Sequence, residues 1–133
     1  MPQVLSLDHL VLTVSDLDRT KQFYQQVLGM RVSEFSPADG SRRVALKFGS
    51  QKINLHEAAA PFLPNAQNAT SGSADLCFLS DTPLESWIAH FETLSVQVEE
   101  GPVARTGAMG PIISVYIRDP DGNLIEVSNQ EAR

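Results

Sequence analysis

Leu7-Asp8-His9-Leu10-Val11-Leu12-Thr13-Val14-Ser15-Asp16-Leu17-Asp18 opens on alternating side chains and then breaks at a Ser-Asp pair. The alternation marks Leu7 to Val14 as a strand. Ser15 is placed to cap a helix starting at Asp16, with Asp18 in the first turn, where an acid is favoured. Leu17, Thr20, Tyr24, Val27 and Leu28 recur at helical spacing, and Gly29 ends the run. Met30 to Phe35, Arg43 to Phe48 and Lys52 to His56 read as three further strands, separated by turns at 36–40 and at Gly49-Ser50. The order is βαβββ.

The same order then returns. Ala74 to Leu79 reads as a strand, and Thr82-Pro83-Leu84-Glu85 combines capping-box spacing with proline at the first helical position. Leu84, Trp87, Ile88, Phe91 and Leu94 form one apolar helical stripe, which is a core-packing face. Val96 to Glu100, Ile112 to Arg118 and Asn123 to Ser128 supply three strands, the last two joined by the turn Asp119-Pro120-Asp121-Gly122. His9 falls on Asp75, Leu28 on Leu94 and Val32 on Val98, each 66 residues apart. After the second strand the offset is 70, which sets Phe48 on Arg118 and His56 on Glu126. The four extra residues fall within 104–110, a segment expected to be a functional loop. The expected fold is α+β: one domain, 1–133, of two βαβββ modules, 5–57 and 74–128, joined by a linker, 58–73, rich in Ala, Pro, Asn, Ser and Gly.

Alternate side chains of a strand point to opposite faces. Leu10, Leu12 and Val14 share the face a helix must cover, so His9 points the other way. By the same count His56 opposes Ile53 and Leu55, Asp75 opposes Leu76 and Phe78, and Glu126 opposes Ile125 and Val127. Asn54 shares the face of His56, and a one-residue register slip would exchange His56 for Glu57. If the halves pair by pseudo-twofold symmetry, His9, His56, Asp75 and Glu126 converge. Two imidazoles and two carboxylates suit a divalent transition metal with room for water or substrate. Glu126 lies between apolar neighbours, where an unpaired carboxylate is costly, and is the hardest of the four to explain without a cation. Asp75 fits either a ligand or a hydrogen-bonding group beside the ion. His90 lies off its helix's apolar stripe and reads as surface.

The chain has 133 residues, 42% of them apolar, enough for one domain core. No apolar run reaches the ~18 residues of a membrane span, and no secretory signal is visible at the start, so a cytoplasmic location is expected. Cys77 is the single cysteine; it sits in an apolar run and is expected to be a buried, inert thiol. A net charge of −6 with scattered Lys and Arg argues against nucleic acid and anionic membranes as partners.

Leu7-Asp8-His9-Leu10-Val11-Leu12, Phe23-Tyr24, Leu28-Gly29-Met30 and Asp119-Pro120-Asp121-Gly122-Asn123-Leu124-Ile125-Glu126-Val127 resemble the vicinal oxygen chelate superfamily. That superfamily includes glyoxalase I, fosfomycin resistance enzymes, bleomycin-binding proteins and extradiol dioxygenases. Residues 51–57 and 100–107 look most like glyoxalase-domain-containing proteins of unassigned activity. The resemblance implies a glyoxalase-like fold: two βαβββ modules whose strands form a curled mixed sheet around a central cleft that holds the metal. In glyoxalase I similar positions supply His, Glu, His and Glu in chain order; here the order is His9, His56, Asp75, Glu126. The implied cofactor is a divalent ion (Zn, Ni, Fe, Mn or Co) and the implied assembly a homodimer. The expected activity is that of a metal-dependent lyase or isomerase of glyoxalase type, acting on a small α-keto or vicinal-oxygen substrate, as in a lactoylglutathione lyase. Glu126 or Asp75 would move the proton, and Arg105 would hold an anionic substrate group. The alternatives are a metal-free ligand-sequestering protein of bleomycin-resistance type, and a fosfomycin-resistance-like transferase or dioxygenase-related protein.

Overall fold

The computed structural model describes residues 1–131. The chain divides into two compact units, Met1–Gly72 and a second beginning at Ser73. In the first, β1 (His9–Val14), α1 (Leu17–Gln26), β2 (Arg31–Phe35), β3 (Arg43–Phe48) and β4 (Gln51–Glu57) build a four-stranded sheet in the order β1-β4-β3-β2. β1 runs parallel to β4 and the other neighbours are antiparallel. Leu12, Val14, Val44, Leu46, Ile53 and Leu55 are buried on one face, and Leu17 and Tyr24 of α1 are buried with them. Asp16, not Ser15, caps α1: its carboxylate accepts from the Arg19 backbone N–H at 3.0 Å. A carboxylate at the cap also suits the positive end of the helix dipole.

The second unit repeats the first strand for strand. β5 (Asp75–Leu79), α2 (Leu84–Thr93), β6 (Glu100–Gly107), β7 (Gly110–Arg118) and β8 (Leu124–Gln130) form a sheet in the order β5-β8-β7-β6, with β5 parallel to β8. Phe91, Ile117, Ile125 and Val127 anchor its core. These are two βαβββ modules, a glyoxalase-like α+β fold. No helix among the described residues is long and apolar enough to cross a membrane.

Four expectations need correction. Pro83 is the cap of α2 and makes no side-chain capping bond. The N–H of Leu84 donates instead to Asn129 Oδ1 at 2.9 Å, a partner 45 residues away that no local motif reveals. The strand expected from Val96 starts only at Glu100. The segment 104–110 is no loop: it continues β6 and β7 as a longer hairpin closed by Ala108 and Met109. Cys77 is exposed rather than buried, because it alternates onto the face opposite Leu76 and Phe78.

The fourth strands are also related differently. His9 pairs with Lys52 and Asp75 with Leu124, so the offset between β4 and β8 is 72. The counterpart of Glu126 is therefore Asn54, and that of His56 is Ser128. A five-residue turn, Asp119 to Asn123, stands where the first unit has Gly49-Ser50, and the expected offset of 70 missed that lengthening.

Candidate functional site

In each unit the sheet face away from its helix carries the polar side chains. On the first unit that face has three cross-strand rows. The first is Arg31, Lys47, Lys52 and His9; the second is Ser33, Ala45, Asn54 and Val11; the third is Phe35, Arg43, His56 and Thr13. Long side chains in the outer rows and short ones in the middle leave a cleft of about 380 Å³, whose lining includes Lys47, Lys52, Asn54, His56 and Phe62. Phe62 comes from the segment expected to be a linker. The Arg43 guanidinium stacks 3.5 Å over its ring, and the His56 ring meets it edge to face at 5.2 Å. Partial burial lowers the His56 pKa below its ordinary value, and the nearby Arg43 charge lowers it further.

His9 and His56 share this face but stand four strand positions apart, about 13 Å along the sheet. The diagonal neighbour of His9 on β4 is Asn54, which strand alternation placed on the right face but chain counting did not match to Glu126. His9 Nδ1 hydrogen-bonds to Asp8 Oδ1 at 2.8 Å; in the tautomer where Nδ1–H donates, the lone pair of the neutral ring is on Nε2.

On the second unit Glu126 stands opposite Cys77 on β5 and Tyr116 on β7, with Asp75 its diagonal neighbour. Ser114 Oγ donates to Glu126 Oε2 at 2.5 Å, Ser114 and Ser128 lie 2.7 Å apart, and Cys77 Sγ is 3.3 Å from Ser128 Oγ. Both serines are fully buried. Partial burial pushes the Cys77 thiol pKa up, and the neighbouring carboxylates of Glu126 and Asp75 add to the shift. Arg105 lies on β6; its Nε donates to Tyr116 Oη at 2.9 Å and its guanidinium approaches Glu100 at 3.5 Å. Strand alternation could have found Ser114, Tyr116 and Ser128, since each shares the parity of its strand's polar face.

Within neither unit do three His, Cys, Asp or Glu side chains gather closely enough to hold a metal ion, among the described residues. The donor chemistry nevertheless fits one. A ligating imidazole usually has its second nitrogen held by a carboxylate, and a ligating carboxylate is itself hydrogen-bonded. His9 with Asp8, and Glu126 with Ser114, each meet that description.

Residues 6–127 match the Glyoxalase/Bleomycin resistance protein/Dioxygenase superfamily. The chain belongs to this superfamily. A virulence protein of Salmonella typhimurium is 52% identical over 92% of this chain and 82% of its own length. An integron cassette protein from the mobile metagenome of V. cholerae is 53% identical, with a TM-score of 0.90 over 98% of this chain and 99% of that one. A lactoylglutathione lyase from Agrobacterium tumefaciens is 30% identical, with a TM-score of 0.70 over 93% of this chain and 92% of that one. Superfamily members so alike in fold differ in what they do, so the activity of this one has to be argued from its own side chains.

Proposed function

We propose that this superfamily member is a divalent-metal-dependent enzyme of glyoxalase type, acting on a small α-keto or vicinal-oxygen substrate. The observation that carries the reading is the matched preparation of His9 and Glu126. Each is a donor on the polar face of its own unit, and each is oriented through one atom while the other atom is left for a ligand. His9 and Glu126 are each put forward as a ligand of the ion. His56 is assigned to the cleft and not to the ion, because its ring packs on Phe62.

The ion supplies Lewis acidity towards two neighbouring substrate oxygens. Proton movement falls to the chain's carboxylates. Glu126 is held by Ser114, whereas Asp75 is exposed beside it, and no hydrogen bond or ion pair engages its carboxylate among the described residues. Asp75 is therefore the group free to take a proton from carbon and return it, and Glu126 the group suited to a fixed position. Arg105, tied to Tyr116, can hold an anionic group of the substrate.

The test is metal content. Glu126→Gln keeps the shape and removes the charge. Purified wild-type protein should carry close to one ion per site by elemental analysis, and the variant should lose most of it with its circular dichroism unchanged. Full metal content in Glu126→Gln would sink the proposal.

A further inference from the structure

The polar face of the first unit carries charges that a metal ion does not use. Arg31, Lys47 and Lys52 stand directly opposite one another across three strands, and His9 completes the row. Like charges placed directly opposite destabilise a sheet. No ion pair relieves these three cations among the described residues. Asp8, beside Arg31, Lys47 and Lys52 in an adjoining depression, has its carboxylate on His9 and is 87% exposed. The charge is also local. The first unit has seven Lys and Arg against six Asp and Glu, whereas the second has three against ten. A cationic row in an acidic chain is a cost to the fold that an anionic ligand would offset.

The rest of the cleft says what the anion is attached to. Two strand positions from the lysines the floor is Ser33, Ala45 and Asn54, which leave space. Two further positions on, about 13 Å from the lysines, the wall becomes aromatic. Phe35 is 63% exposed there, and Phe62 lies under the Arg43 guanidinium. The volume of about 380 Å³ lies within the range of small-molecule sites.

We propose that this cleft binds a small organic carboxylate with a flat apolar body, the carboxylate between Lys47 and Lys52 and the body against Phe35 and Phe62. This names the substrate class for the reading above, on the assumption that the face carrying His9 is the substrate side. Its test reads binding to metal-free protein, so either idea can fail without the other.

The full chain, stripped with a chelator, is titrated by ¹⁵N NMR at low salt with 4-phenylbutyrate, its neutral amide, and butyrate. Phenylbutyrate should bind saturably in the millimolar range, shifting the amides of Ser33, Ala45 and Asn54. The amide and butyrate should each bind at least about tenfold more weakly, through loss of charge and of ring respectively. Lys47→Met with Lys52→Met should weaken phenylbutyrate at least about tenfold while raising the thermal midpoint, since the substitutions remove opposed like charges. Phe62→Ala should weaken it with the salt dependence intact. Equal binding of acid and amide, shifts confined to other surfaces, no saturable binding, or full affinity in the double lysine variant would each overturn the proposal.

Discussion

At the scale of single residues the fold uses side chains in ways that a neighbour-by-neighbour reading does not show. His56 is an example. It lies on the polar face as strand alternation requires, yet its partners are Phe62 and Arg43. Burial and the Arg43 charge both disfavour its protonated form, so its pKa in the native state lies below the ordinary 6.5. The native state then binds fewer protons than the unfolded chain just below pH 6.5, and stability falls as pH is lowered through that window. Above it the contribution is fully present. Replacing Arg43 with Gln should raise the His56 pKa only partway, because burial is the larger cause. Titration of the ring by NMR checks this. A His56 pKa unmoved by Arg43→Gln, or one above 6.5 in the wild type, would show that the guanidinium does not act on the ring.

Among the secondary-structure elements, the local pattern revealed which existed and the long-range bonds decided where they ended. The alternation of Leu10, Leu12 and Val14, and the stripe of Leu17, Thr20 and Tyr24, fall where the structure has β1 and α1. Arg43 to Phe48 matches β3 end for end. α2 was legible as a helix, but the group that satisfies its first turn was not, because Asn129 is supplied by β8. Asn129 Nδ2 also donates to the carbonyls of Ser80 and Thr82, at 2.9 and 2.8 Å, so one amide fixes the whole β5–α2 connection. Glu126 was legible from alternation alone, whereas Asn54 required a register that depends on turn length. The same register places the fully buried Asn123, whose Oδ1 accepts from the Ala74 N–H at 2.8 Å and holds the start of β5 to that of β8. The Asp119 to Asn123 turn thereby aligns the two strands that carry Asp75 and Glu126. Asn129→Ala should cost about 1–3 kcal/mol, the usual penalty for orphaning part-buried backbone groups. Urea unfolding of the variant measures it, with exchange rising first at the Leu84 amide. A loss under about 0.5 kcal/mol would mean that water replaces the amide without cost.

Over the whole molecule, the summed charge conceals a division. A net −6 describes neither unit: the first is close to balanced, and the second has ten acids against three bases. The ion pairs that tie acids to bases are correspondingly concentrated in the first unit, and its response to acid follows from them. In the first, Glu34 accepts from Lys21 Nζ at 2.7 Å and from Arg42 Nε at 2.8 Å, and Arg42 also reaches Asp18 at 2.9 Å. Hydrogen bonds from Arg42 and Lys21 hold the Glu34 pKa down to about 2 from 4.5. A depressed carboxylate stabilises fully above its unfolded value and loses that contribution as pH falls through its folded one. The window for Glu34 is thus about 4.5 down to about 2. Mass-resolved amide exchange should show the first unit beginning to lose protection below pH 6.5, where the unfolded chain takes up the His56 proton before the native state does. Below about pH 4.5 the first unit should lose protection, and Glu34→Gln should flatten that acid limb by removing the proton-linked group. If Glu34→Gln leaves the acid limb of the first unit unchanged, then the bonds from Lys21 and Arg42 to Glu34 do not set that limb.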